Sequence, residues 1–499
     1  MTGGLIVRGG DVLTADGSLA RVDVLVEEGR VAQLGGELSA PRVAELDASG
    51  TIVAPGLVNA HMHSGENLNP GRYENLPLDL WFIHSHQVTR TEPPPREEIY
   101  VRTMVGALLM LKSGTTCAVD FVYEAPEITV DTLEPVVQAY RDSGLRATVL
   151  LGVADKPFLD SLPLDPAEQE GAPPEAPAPT RERIIEVAEA AIDRWHEPEG
   201  RIQIGIAPSA PQRCTDELLE ATWNLAVERD VVWHTHALET KTQAYTADRW
   251  HGRSFVEELA ARGFVGRRES IVHAVWLTDQ DVSLFRDTDT TMIHCLLSIL
   301  RIGDGIARLP ALQAANVRVA LGTDGRGCDE TLDMLELAKM TALVHKARGE
   351  SYRDWPTAAD VFAMATRNAS ICAGHGERGL GRIEVGAHGD LILLGRDTLP
   401  FTPLLDSVRQ LVYGAPSSEV RTAVVGGRIV VDGGRVVGVD EERIRELARQ
   451  YAPPPAADGE GTEALMQLQE IVSGVYERAE ASKLGLDSYI GSGLAESVG

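Results

Sequence analysis

The sequence predicts an α/β protein: a (β/α)8 TIM-type barrel with a small β-sandwich formed by both chain ends and a helical C-terminal tail. Three observations predict it. Between residues 56 and 385, short apolar runs alternate with helical patterns, as repeated βα units around a parallel sheet require. The hairpin texture of residues 1–55 returns at 386–439, so the two ends can pair. The chain has 499 residues, 43% hydrophobic and 24% charged, an ordinary globular composition with room for a large core.

The first stretch alternates β-rich runs with glycine turns in LIVRGGDVLTADGS, VDVLVEEGRVAQLGG and TIVAPGLVNAHMH. Eight barrel strands follow in order: GLVNAHMH, TTCAVDF, RATVLLGVA, RIQIGIAPSA, DVVWHTHAL, SIVHAVWL, TTMIHCLLS and VRVALGTDG. Helical periodicity separates them, for example in EEIYVRTMVGALLMLKSG, TDELLEATWNLAVERD and LDMLELAKMTALVHKA. After the third strand comes DKPFLDSLPLDPAEQEGAPPEAPAP, rich in Pro and Glu, which reads as a long solvated loop over 155–179. Its place on the catalytic face makes a lid the alternative. GDLILLGRD and VRTAVVGGRIVVDGGRVVG then return to hairpins, and 440–499 carries two helical segments around a Pro-Ala-Gly break, packing on the barrel or on another subunit.

Forty-six basic against 74 acidic residues give a formal charge of −28, which argues against a nucleic-acid partner. Five scattered cysteines with no CxxC pair disfavour a disulfide framework and a thiolate metal site, and imply a reducing compartment. The start, MTGGLIVRGGDVL, has no basic segment followed by an apolar one, and no uncharged run reaches about 18 residues, so no membrane partner and a cytoplasmic location are expected.

Residues two apart on a strand share a face, so His61 and His63 of HMH can both point into the barrel mouth. HxH recurs at His84-Ser85-His86 and His234-Thr235-His236, and position separates them: His61 and His63 close the first strand, whereas LDLWFIHSH lies where a helix or loop belongs. Catalytic residues of such barrels come from several strand ends. Strand five ends in HTHALET, strand six carries IVHAV, and strand eight ends in LGTDG with Asp324. Imidazoles and one carboxylate suit zinc or iron and leave room for water, whose pKa a bound metal lowers to about 7. HExxH, a P-loop, GxGxxG after a strand and GxSxG are absent.

PGLVNAHMH, HALET, the isolated strand-six His, HC-x-x-S and LGTDG together resemble the amidohydrolase superfamily. The likeness is to its branch of cytosine, guanine and methylthioadenosine/adenosylhomocysteine deaminases and triazine chlorohydrolases. It covers nearly the whole chain, including RIEVGAHGDLILL, similar to that family's re-entry into the sandwich. The resemblance implies one divalent metal, Zn2+ first with Fe2+ or Mn2+ as alternatives, held by His61, His63, His236 and Asp324. Glu239 would shuttle protons, Asp324 would also take a proton from the attacking water, and His273 would hydrogen-bond the nucleophile or polarise the reacting centre. A small-molecule substrate and a homo-oligomer are further implications.

The binuclear members carry a bridging Lys at the end of strand four, where this chain has IAPSA, and Lys156 follows strand three instead, so a mononuclear site is expected. Leu296 and Ile299 replace the Pro and Asn of the usual HCPxSN, and Ser209 stands where many deaminases have His. Those departures loosen any simple purine or pyrimidine assignment. Gln212 and Arg213 are candidate substrate contacts, since an Arg fork suits a carboxylate or other acidic group, with a surface loop Arg as the alternative. Glu66 and Asn67 could read a substrate ring or cap a helix. His294 is a candidate substrate contact, His234 sits one layer deeper than His236 and reads as packing or as support for the ligands, and His84 and His86 read as structural.

The expected reaction is hydrolytic deamination of a small nitrogen heterocycle or amidine with release of ammonia. Hydrolysis of another C–N or C–Cl bond is the alternative. A non-catalytic binding barrel is the third reading, opposed by the intact ligand set and Glu239, which a scaffold does not need.

Overall fold

The computed structural model describes residues 4–41, 43–85, 92–173, 175, 177–347, 351–453, 463–486 and 488; His86 lies outside them. Its centre is a sheet of eight parallel strands hydrogen-bonded in sequence order: Leu57–Met62, Thr115–Val122, Arg146–Val153, Ile202–Pro208, Trp233–Ala237, Glu269–His273, Thr291–His294 and Val319–Leu321. Every residue of the second and third strands is buried, as near-continuous apolar runs covered on both faces require. The helices between strands include Arg96–Lys112, Asp216–Arg229 and Met334–Val344, where the periodicity places them.

First and last strands meet through side chains as well as backbone. Asn59 donates to Thr323 Oγ1 at 2.7 Å and its Oδ1 accepts from Thr323 N–H at 3.0 Å, while Asp324 N–H donates to His61 O at 2.9 Å. Gly322 permits this approach, because a Cβ there would stand 2.8 Å from His61 Cβ. The seam therefore joins the two segments that carry His61 and Asp324.

The strands stop short of the apolar runs that announce them. The chain turns into irregular backbone at their carboxyl ends, where Leu238, His273, Ala274 and Asp324 all have positive φ (54°, 70°, 42° and 70°). Non-glycine residues avoid that region, so packing must hold them there, a pattern that concentrates at functional sites. Thr215 and Thr240 cap the helices behind strands four and five by accepting from the N–H of the third helical residue, which fixes the lengths of the loops carrying Arg213 and Glu239.

Both chain ends build the flanking sheets. A seven-stranded sheet pairs Thr51–Pro55 antiparallel with Leu391–Gly395, and a four-stranded sheet comes wholly from the first segment. A buried bidentate pair, Arg146 to Asp390 at 2.9 Å twice, ties the third barrel strand to this layer.

The expectation of a solvated loop after strand three is corrected. Phe158, Leu159 and Leu162 are buried against Ile83 and against Leu468, Ile471, Val472 and Val475 of the helix Glu463–Ala481. Arg478 clasps Glu168 with bonds of 2.7 and 2.8 Å, and Lys241 Nζ donates to Glu480 O. The tail helix thus packs on its own barrel. Its apolar stripe explains why a Pro- and Glu-rich segment is ordered: the few apolar groups it has are covered from outside. Among the described residues no helix is long and apolar enough to cross a membrane.

Candidate metal centre

Four side chains from strands one, five and eight converge at the barrel mouth. His236 Nε2 stands 3.2 Å from His61 Nε2, and Asp324 Oδ1 stands 3.2 Å from His63 Nε2 and 3.6 Å from His61 Nε2. Ligands about 2.0–2.1 Å from a tetrahedral zinc ion lie roughly 3.3–3.4 Å from one another, so the spacing fits one ion. Donor atoms of His61, His63 and His236 lie within 4.8 Å of one another, as do those of His61, His273 and Asp324.

The outer ring nitrogens are already committed. A carbonyl only accepts, so His63 Nδ1–H donates to Phe121 O at 2.9 Å and His236 Nδ1–H donates to Ser209 O at 2.7 Å, which turns each Nε2 inward. His61 Nδ1 meets His234 Nε2 at 3.0 Å, and His234 Nδ1 meets Ser270 Oγ at 2.8 Å. With His234 donating to Ser270, His61 donates to His234 and offers its own Nε2 lone pair to the cluster. His234 thus stands behind His61, as its deeper position in the strand implies.

Electrostatics favours positive charge at this point. Burial works against ionising Asp324, yet the His61 and His63 imidazoles set against it hold its carboxyl well below the usual range. Burial likewise opposes charge on His63, but Asp324 and Glu66 outweigh it and push its pKa up to about 9. His236 is held neutral by burial. Ser298 Oγ donates to Asp324 Oδ2 at 2.5 Å and Gly325 N–H to Oδ1 at 2.8 Å, which orients the carboxylate. The donor set, its spacing and its field all fit a divalent cation.

Glu239 faces this cluster beside His273, which groups with His61 and Asp324. His273 Nε2 lies 3.2 Å from Glu239 Oε1 and 3.8 Å from Asp324 Oδ2. Burial first, then the Asp324 charge, raises Glu239 well above the carboxylate range. Burial lowers His273 to about 3, so its ring is neutral.

A cavity of about 890 Å3, counted out to its mouth, opens onto His63, His236, Glu239, His273 and Asp324. Glu66, Gln212 and Arg213 line it, and all three are buried rather than on a surface loop. Burial pushes Glu66 up to about 7, and the absence of a side chain at Gly325 makes room for it, since a Cβ there would stand 2.0 Å from Glu66 Oε2. Asn67 turns away to Arg102 O, His84 belongs to the helix Leu78–Ser85 away from the cavity lining, and Lys156 Nζ sits 5.8 Å from the Trp250 ring centre. His294 is also placed elsewhere: it is fully buried beside His345 with ring centres 5.6 Å apart and does not line this cavity. The residue from this region that reaches the site is Ser298, four positions on in the helix Leu296–Arg301, the serine of the HC-x-x-S motif.

The sequence reading missed the cavity's apolar walls. Trp81, Phe82, Phe121, Tyr123 and Phe158 line it, and Asp79 and Cys328 add buried polar groups. Only Phe121 sits on a barrel strand; its ring packs against His61, His63 and His236 with centre distances of 6.1, 5.1 and 4.7 Å. The others come from loops and the helix at 78–85, whose sequences carry no periodic signal that distinguishes a cavity wall from core.

Comparison with known proteins follows the same lines. The model of the amidohydrolase family matches residues 52–430. The 5'-deoxyadenosine deaminase of Methanosarcina acetivorans is 30% identical over 451 residues, spanning 90% of this chain and 97% of that protein. The 5-methylthioadenosine/S-adenosylhomocysteine deaminase of Thermococcus sibiricus is 29% identical, spanning 86% and 94%. Among solved structures, an adenosine deaminase from Xanthomonas campestris with bound zinc superposes with a TM-score of 0.77 at 25% identity, covering 89% of this chain and 97% of that one. Atrazine chlorohydrolase from Arthrobacter aurescens complexed with zinc shares the fold, with a TM-score of 0.78 at 24% identity and coverage of 90% and 100%.

Proposed function

The chain belongs to the amidohydrolase family and is a hydrolase, and from that premise we propose that it is a mononuclear metal-dependent deaminase of small amino-heterocycles. The reading rests above all on Glu239, a buried carboxyl whose burial favours its protonated form, set beside His273 at the floor of an aromatic-walled cavity that Asp324 also lines. His61, His63, His236 and Asp324 would hold the ion, zinc by the donor set and by likeness to zinc-bound relatives. When bound, the ion supplies a Lewis acid that makes water a nucleophile near neutral pH.

The chain's own residues do the rest. Asp324, ionised and oriented by Ser298 and Gly325, accepts a proton from the attacking water. Glu239 gives its proton to a ring nitrogen of the substrate, which makes the amine-bearing carbon electrophilic; its carboxylate then takes the proton of the hydroxyl now on that carbon and relays it to the departing amine, and the proton held by Asp324 restores Glu239. Amines leave poorly unless protonated, so a buried acid at this position is what the reaction needs. His273, neutral by burial, offers Nε2 to the same space and positions the nucleophile. The aromatic walls stack on a flat heterocycle and exclude water.

The test is metal analysis of the purified protein together with an ammonia-release screen of amino-purines, amino-pyrimidines and amino-triazines. About one zinc per chain with ammonia from at least one class supports the reading. Metal with no ammonia from any class overturns deamination and leaves hydrolysis of another leaving group at the same centre. We further propose, from the family implication alone, that the chain acts as a homo-oligomer, which sedimentation would check.

A further inference from the structure

Arg213 is the only lysine or arginine among the residues lining the cavity, and it is poorly compensated. It sits on the short turn Pro211–Arg213 that follows strand four, 8% exposed, with its carbonyl accepting from Lys156 N–H. Among the described residues its Nε and Nη1 have no hydrogen-bond partner, and Oε1 of the adjacent Gln212 has none either. The guanidinium carbon lies 4.6 Å from the centre of the Phe82 ring, 5.9 Å from Phe158 and 6.0 Å from Tyr123. Rings at a guanidinium's faces leave its in-plane N–H edges unused.

An arginine is charged at every working pH, and a desolvated charge without hydrogen-bonded counter-charge is costly. Glu175 is an acidic influence on Arg213 without a hydrogen bond to it among the described residues, and its oxygens accept from the N–H groups of Phe158 and Leu159 at 3.1 and 2.9 Å. The turn is also held firmly: Thr215, just beyond it, is bound by Asp155 at both N–H and Oγ1 (2.7 and 2.5 Å). A rigid, aromatic-walled, cationic fork with free donors in the same cavity as the ligand cluster is the complement of a planar anion.

We propose that the substrate bears a carboxylate, and that Arg213 receives it as a bidentate partner with Gln212 beside it, while the amine-bearing ring lies toward Glu239 and His273. This deepens the deaminase reading and rests on it for the identity of the ring. The carboxylate completes the unused edge of the guanidinium, and Phe82 and Phe158 shield the pair from water. The subsite acts in binding and leaves the hydrolytic groups unchanged.

The experiment uses the zinc-loaded full chain and three aminopyrimidine carboxylates, with the acid at different ring positions, each paired with its carboxamide. Calorimetric affinity and ammonia release are both measured, on wild type, R213M and R213K. The expected result is that at least one acid binds wild type about 10- to 100-fold more tightly than its amide. R213M should bring that ratio near one, and R213K should restore part of it, with zinc content and melting temperature held as checks on folding. Equal affinity for acid and amide in all three pairs overturns the subsite, whatever ammonia is released. So does an acid preference that survives in R213M. Preferential binding of an acid with no ammonia from any probe leaves the subsite standing and brings down the deaminase reading alone.

Discussion

The floor and the roof of the cavity are built by different means. The floor is a set of strand ends, with His61, His63, His236 and Asp324 each backed by a second group: His234, Phe121 O, Ser209 O and Ser298. The roof is assembled from the helix Leu78–Ser85, the segment around Phe158–Leu162 and, behind them, the helix Glu463–Ala481. Its parts come from three separate stretches of the sequence and meet through apolar packing, the Arg478–Glu168 pair and a bond from Gln467 Nε2 to Gly171 O. A rigid floor suits bond-making chemistry, which tolerates little misplacement; a roof held by packing suits admission of substrate. Floor variants should therefore act on metal and turnover, and roof variants on substrate affinity.

The sharpest break is expected from H236A. Its Nε2 stands 3.2 Å from that of His61, so its loss removes one corner of the donor set. Zinc retention should fall below about 0.1 per chain, and activity by roughly 10^4-fold or more. Elemental analysis and an assay at saturating zinc read the two effects; full activity without zinc would sink the metal assignment.

E239Q comes next, because it keeps the shape and removes the proton. Turnover should drop about 10^2- to 10^4-fold with zinc content unchanged and KM little altered. If zinc were lost as well, Glu239 would be acting on the ligand set instead of on substrate.

Smaller still is S298A, which deletes the 2.5 Å bond to Asp324 Oδ2. Supporting hydrogen bonds of this kind are worth roughly 10- to 100-fold in metal affinity or activity. Competition with a chelator against wild type measures it, and identical zinc affinity and turnover would show that Gly325 N–H alone suffices to orient the carboxylate.

The floor was legible in the sequence and the roof was not, for a physical reason. Strand ends are announced by apolar runs of characteristic length, and His61, His63, His236, Glu239 and Asp324 sit at fixed offsets from those runs. Position in one chain segment then specifies position in space. Phe158 and Leu162 sit among prolines and glutamates, so the local composition reads as solvated; their burial is supplied by Leu468, Val472 and Val475, which no local pattern connects to them. Arg213 was legible as a residue but not as a buried one, because its cover comes from Phe82 and Phe158 on two other segments. His294 shows the opposite failure: a family position carried over to the substrate side that packs against His345 instead.

The mildest prediction tests the roof directly. V472S places a hydroxyl at a fully buried position of the tail helix, facing Ile83 and Phe158 across the layer that covers the cavity. Burying that hydroxyl without a partner costs about 1–3 kcal/mol, which loosens the roof while every floor contact remains. KM should rise about 5- to 10-fold, zinc content should hold, and turnover at saturating substrate should stay within about 2-fold of wild type, as for uniform loss of binding. Should V472S instead depress turnover as strongly as E239Q while leaving KM alone, the roof would be holding Glu239 and His273 in place, and the division between a chemical floor and an admitting roof would fail.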